Sequence, residues 1–163
     1  MKTSSFFLHI RPAAYQHHSL SFTTTFYLGY ISVFLLIVEC ITGVFLMVYY
    51  IPTTEGAYGS IVRLSTDVPF GHLFRDLHRL AGELMIVVLF LHMVKVFLKG
   101  SFRGSYGITW ITGVLLFVCT LFLAFSGYLL PWDQLAYWAV TIGTSMVDTI
   151  PGIGGAVTMI LRG

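Results

Sequence analysis

An all-α membrane protein with three spanning helices is the fold class this chain predicts, and three observations carry it. Apolar runs of bilayer length occupy Tyr27–Tyr50, Leu77–Leu98 and Ile108–Leu130, each near the roughly 20 residues a crossing needs. The 163-residue chain is 56% hydrophobic and only 10% charged, which excludes an ordinary water-soluble globule. The third observation is a spacing of fourteen residues that recurs on all three runs: Gly29 and Gly43, His78 and His92, Gly113 and Gly127. Fourteen helical residues advance about 21 Å and come close to four whole turns. The members of each pair therefore share a face, one near each edge of the hydrocarbon.

Residues 1–26 precede the first span and mix Phe6, Phe7, Leu8 and Ile10 with Lys2, Arg11 and several histidines. Such a mixture suits an interfacial segment lying on the membrane. His17 and His18 are adjacent, and one helix cannot turn both toward one ligand, so they read as headgroup residues. The first span begins and ends in tyrosines, which belong to the interfacial aromatic belt. It carries Glu39, four residues before Gly43 and so on nearly the same face. A carboxyl there is expected to be protonated or hydrogen-bonded, with a haem-tuning or proton-handling role as the alternative.

Residues 51–76 form a connection opened by Pro52, with a short helix expected over the sequence GAYGSIVRL. The second span is the centre of the chain. Polar side chains at membrane depth are costly and mark function by default, and His78 and His92 are both of that kind. Glycine disfavours a helix by up to about 1 kcal/mol relative to alanine, so paired glycines on both flanking spans call for a bulky neighbour. Small-residue helix packing favours a spacing of four. A spacing of fourteen on three helices points to two planar groups stacked across the membrane. Haem with an axial histidine fits: His78 and His92 as iron ligands, Gly43 and Gly127 beside the first haem, Gly29 and Gly113 beside the second.

Haem carries two propionates, and arginine matches carboxylates with a fork of donors. Arg75 lies one turn before His78 on its face, and Arg79 follows it; Lys95 stands in the same relation to His92, with Arg103 in the next connection. These four are the candidate propionate partners. Glu83 turns about 140° from the His78 face and is expected to meet another helix or subunit. The third span ends at Pro131, and residues 131–163 read as a pair of surface helices, Gln134–Met146 and Ile150–Arg162.

Basic residues bias the N-terminal segment and the 99–107 loop to the cytoplasmic side. His78 then belongs to the outer haem and His92 to the inner one. A net charge of +2 is too small to suggest nucleic acid, and Cys40 and Cys119 lie inside spans. No Cys-x-x-Cys-His occurs, so c-type haem attachment by that motif is not expected. The first apolar run is too late and too long for a cleavable signal, and the first span is expected to serve as the insertion signal.

The motifs RDLHR, HMVKVFLKG, SYGITWITG and GYLLPWDQLAYWAV, with the tail VDTIPGIGGAVTMILRG, carry a family resemblance over about residues 21–163. Through them the chain resembles the N-terminal part of cytochrome b from quinol-oxidising cytochrome bc and bf complexes, nearest the short bf form. The resemblance implies a four-helix dihaem bundle whose fourth helix is not in this chain. It implies Q-cycle electron transfer in a quinol:cytochrome c or plastocyanin oxidoreductase. One electron passes to a Rieske iron–sulfur protein and the other through the outer, low-potential haem to the inner, high-potential haem. Leu135 and Ala139 match positions lining the outer quinol pocket.

The partners implied are a C-terminal cytochrome b chain supplying the fourth helix and the second axial ligands, with a truncated sequence as the alternative, together with a Rieske protein, a c-type cytochrome, a quinol, and a second copy of the complex. A bacterial cytoplasmic membrane is the expected location. Two departures from the family pattern concern the sequence itself. Tyr27 stands where bf-type proteins carry a cysteine that anchors an extra haem, and no Pro-Glu-Trp-Tyr motif is present. Two other readings stay open at this stage: a dihaem b anchor passing electrons between quinone and another redox enzyme, and a scaffold without haem.

Overall fold

The computed structural model describes residues 26–100, 102 and 107–162, with side chains as far as Met159. The N-terminal interfacial segment, including His9, His17 and His18, and the candidate Arg103 lie outside the described residues. Six α-helices occupy the described part: α1 Leu28–Tyr49, α2 Ala57–Thr66, α3 Gly71–Leu98, α4 Gly107–Leu129, α5 Gln134–Asp148 and α6 Gly154–Arg162. Three of them, α1, α3 and α4, are long and apolar enough to cross a membrane, as the apolar runs predict.

α1 and α3 are the principal packed pair. Their core is Leu35 against Ala81 and Met85, with Val38, Val88 and Leu89 packed around it. The helices run antiparallel in a strict register. Lys95 meets the Phe26 ring, Gly29 meets His92, Gly43 meets His78, and Phe45 stacks on Phe74 with ring centroids 4.1 Å apart. From Phe26 to Gly43 each step along the chain is matched by an equal step back along α3. The two fourteen-residue spacings therefore coincide.

α3 begins six residues earlier than the apolar run. The polar stretch His72–Asp76 is still helical, and His72 Nδ1 lies 3.1 Å from the Asp76 carboxylate one turn on. Hydropathy reads such a stretch as a loop, whereas local i,i+4 pairing keeps it in the helix. Arg75 and His78 thus sit on one continuous helix. Tight packing sets where that helix starts: a Cβ on Gly71 would collide with the Leu64 carbonyl of α2. Phe70, just before it, takes a left-handed backbone at φ 61°.

α4 leans on α3 through Phe90–Phe117 and Phe97–Trp110 ring contacts, with Met93 facing Gly113. None of its residues is buried. So much outward apolar surface is incompatible with water and marks lipid or a partner helix. Together with the three spanning lengths, it makes the chain an integral, multi-pass membrane protein.

The chain turns after α4 through Leu130–Pro131–Trp132, with Trp132 at φ 51°. Asp133 then caps α5 by accepting from the Ala136 N–H at 2.8 Å. α5 runs two residues past the expected Met146. α6 starts at Gly154 and not at Ile150, because Pro151 and Gly152, the latter at φ 88°, form a turn first. α5 and α6 pack on one another, and Tyr50 Oη donates to the Leu130 carbonyl at 2.8 Å, tying the end of α1 to this corner.

Candidate functional site

His78 is half-buried in the α1–α3 seam. Its Nδ1 lies 2.8 Å from Thr42 Oγ1 and 3.0 Å from Glu39 Oε2. The hydroxyl decides the tautomer. Thr42 has one O–H hydrogen, and it is directed to the backbone carbonyls of Val38 at 2.7 Å and Glu39 at 3.3 Å. With that hydrogen on the Val38 carbonyl, its oxygen accepts from His78 and Nδ1 carries the proton. Nε2 is left with the lone pair, the arrangement found at histidine ligands whose other nitrogen is held by the protein.

Thr42 is 2% exposed, so this anchor is fixed by packing. A Cβ on Gly43, its neighbour, would lie 3.3 Å from His78 Cε1. Glycine is what lets the imidazole lie this close to α1. Glu39 continues the cluster: its Oε1 is buried with no hydrogen-bond partner among the described residues. A Cβ on Gly82 would come to 3.4 Å from that oxygen, so a second glycine makes room for the carboxyl.

The second histidine repeats the pattern with fewer polar contacts. A Cβ on Gly29 would sit 3.5 Å from His92 Cε1, an ordinary contact. Among the described residues no side chain hydrogen-bonds the His92 ring. One turn on, Lys95 Nζ is buried without a hydrogen-bond partner among the described residues, 3.8 Å from the Phe26 ring centroid.

The other predicted residues fall as follows. Gly113 faces Met93 Sδ at 3.7 Å, and a Cβ on Gly127 would meet nothing within 4 Å. Neither is beside a histidine. Arg75 Nη1 reaches Ser65 Oγ at 3.3 Å, while Arg79 Nε donates to Glu83 at 3.0 Å. Glu83 thus faces its own helix's arginine on an exposed surface. A cavity of about 520 Å³ lies at the α4–α5 corner, lined by Ser126, Leu130, Trp132, Ala136, Tyr137 and Val140 among others. Leu135 and Ala139, the expected pocket residues, are not among those lining it; their neighbours Ala136, Tyr137 and Val140 are. Sequence reasoning missed Thr42 altogether, although its place beside Gly43 was the available signal.

The donor set suits haem. A neutral imidazole with its Nδ1–H held and Nε2 free, glycine where helix meets ring, and a buried ammonium one turn from the second histidine answer to iron, macrocycle and propionate respectively.

Comparison with known proteins agrees. The family model described as Cytochrome b/b6/petB matches residues 14–163. The chain is 42% identical over 136 residues to cytochrome b6 of Heliobacterium modesticaldum, covering 83% of this chain and 64% of that one. It is 43% identical over 127 residues to cytochrome b6 of Chlamydomonas reinhardtii, covering 78% and 59%. It is 36% identical over 155 residues to the menaquinol:cytochrome c reductase cytochrome b subunit of Geobacillus thermodenitrificans, covering 95% and 67%. The fold is similar to a chain of a hyperthermophilic respiratory Complex III, with TM-score 0.72, 28% identity, and 80% of this chain and 35% of that one covered. This chain thus spans about 64% of the length of the first of these relatives.

Proposed function

We propose that this chain, which belongs to the cytochrome b/b6 family, is the dihaem electron-transfer subunit of a quinol:cytochrome c or plastocyanin oxidoreductase. The single observation that carries the reading is the coincidence of both spacings across one seam, Gly43 on His78 and Gly29 on His92. Two b-type haems, when bound, supply reversible one-electron exchange at iron.

The chain's own residues do the rest. His78 and His92 would hold the haem irons through Nε2, one toward each membrane surface. Thr42 and Glu39 hold the His78 ring against rotation. Arg75 and Lys95 lie one turn from the respective histidines and offer cationic partners to propionates, with Arg79 and Arg103 as further cations. Gly113 and Gly127 keep α4 smooth on the bundle side. Around both groups, lipid-exposed helices exclude water, which keeps electrons from leaking to solvent.

A fourth helix of the bundle would supply the remaining iron ligands, and the working complex is a dimer. Quinol is oxidised at the outer side against the α4–α5 corner, where Leu135 and Ala139 stand beside the cavity wall. A Rieske protein and a c-type cytochrome take the first electron. The N-terminus lies on the cytoplasmic side of a bacterial membrane. Optical spectra of the purified complex from His78→Leu and His92→Leu cells test the assignment. His78→Leu is expected to remove the outer haem and spare the inner one, and His92→Leu to do the reverse. Two intact haems in either variant overturn it.

A further inference from the structure

The two histidines differ in one respect that their shared spacing hides. His78 Nδ1 lies beside two oxygens of α1, the buried Thr42 hydroxyl at 2.8 Å and the Glu39 carboxyl at 3.0 Å. The His92 ring has no such acceptor among the described residues. An acceptor on Nδ1–H makes an imidazole a stronger donor through Nε2. A more electron-rich axial ligand stabilises ferric over ferrous iron, and this is one of the protein's levers on haem potential.

We propose that Glu39 and Thr42 are positioning residues that act through His78 to hold the outer haem at a lower potential than the inner one. The inference rests on the ligand assignment above and adds a cause for the separation of the two potentials. The geometry gives the carboxyl a built place. Gly82 leaves the room its Oε1 occupies, and Thr42 is locked by its own bond to the Val38 carbonyl. Glu39 sits one turn from Thr42 on α1, so the hydroxyl and the carboxyl approach the same ring nitrogen from the same helix.

The experiment is a redox titration of both haems in the natively purified complex, comparing wild type with Glu39→Leu, Glu39→Gln and Thr42→Val. Glu39→Leu is expected to shift the outer haem's ferric/ferrous balance about tenfold toward ferrous, a rise of about 59 mV for a one-electron couple, with the inner haem unmoved. Glu39→Gln, which keeps an oxygen at this place, is expected to leave the outer potential near its wild-type value. Thr42→Val, nearly isosteric, is expected to raise the outer potential by a smaller factor. Should Glu39→Leu lose the outer haem outright, Thr42→Val decides: a raised outer potential supports the proposal and an unmoved one overturns it. Equal shifts of both haems, or a Glu39→Gln shift as large as that of Glu39→Leu, also overturn it. Failure of the underlying function looks different: the wild-type complex itself would then contain no b-type haem.

Discussion

Alanine at Gly43 is the perturbation whose effect follows most directly from the geometry. The added methyl would lie 3.3 Å from His78 Cε1, tighter than ordinary van der Waals contact. Iron ligation would fix the ring against the methyl, whereas without haem only the Thr42 contact at Nδ1 opposes a small rotation away from it. Overpacking of this kind costs about 1–3 kcal/mol. Alanine also favours the helix by about 1 kcal/mol over glycine, but that gain applies with or without haem and cancels from the binding equilibrium. The remainder corresponds to outer-haem affinity weakened about five- to 150-fold.

Gly29→Ala is the built-in control. Its methyl would meet His92 Cε1 at 3.5 Å, an ordinary contact, and the His92 ring has no polar anchor opposing a small rotation. Inner-haem affinity should change by less than about threefold, below 1 kcal/mol. Pyridine haemochrome quantitation with potentiometric resolution of the two haems reads both variants. Loss of the inner haem from Gly43→Ala, or full retention of both at wild-type stoichiometry under haem limitation, would refute the reasoning.

Three other predictions concern the rest of the chain. Arg75→Leu is expected to lower outer-haem retention more than Arg79→Leu, because Arg79 is already engaged by Glu83; equal losses in haem-to-protein ratio would contradict this. Tyr50→Phe removes the tie to the Leu130 carbonyl and should destabilise the α4–α5 corner by about 1 kcal/mol, seen as faster amide exchange in the 129–137 segment. Asp133→Ala removes the cap on α5 and should cost about 1 kcal/mol, with exchange rising in its first turn and unchanged in α3.

Periodicity and length were enough to predict the spanning helices, because lipid leaves few choices to a long apolar run. They also sufficed to match Gly29 with His92 and Gly43 with His78, since an equal interval on antiparallel neighbours brings both pairs together at once. What one helix's pattern cannot contain is the rotation of its neighbour. Glu39 was visible as a costly carboxyl on the Gly43 face. Its contact with His78 depends on how Leu35 beds against Ala81 and Met85, which is a property of two helices. Thr42 escaped notice because threonine is unremarked in an apolar span until its hydroxyl is seen to be committed to a carbonyl. The polar start of α3 was hidden for the opposite reason: hydropathy registers membrane depth, and His72–Asp76 is helix outside it. Gly113 and Gly127 meet no histidine because α4 packs lightly on α3 and not on the histidine face of the α1–α3 seam.

The central claim is that this chain holds two haems in inequivalent sites within a larger complex. Its most direct test is a pyridine haemochrome assay with redox titration of the natively purified assembly, its subunits identified. The account predicts two b-type haems per cytochrome b, titrating as separate one-electron components, the lower assigned to His78, with two further histidines on a fourth helix. A haem-free assembly, or one b haem per chain, would contradict it.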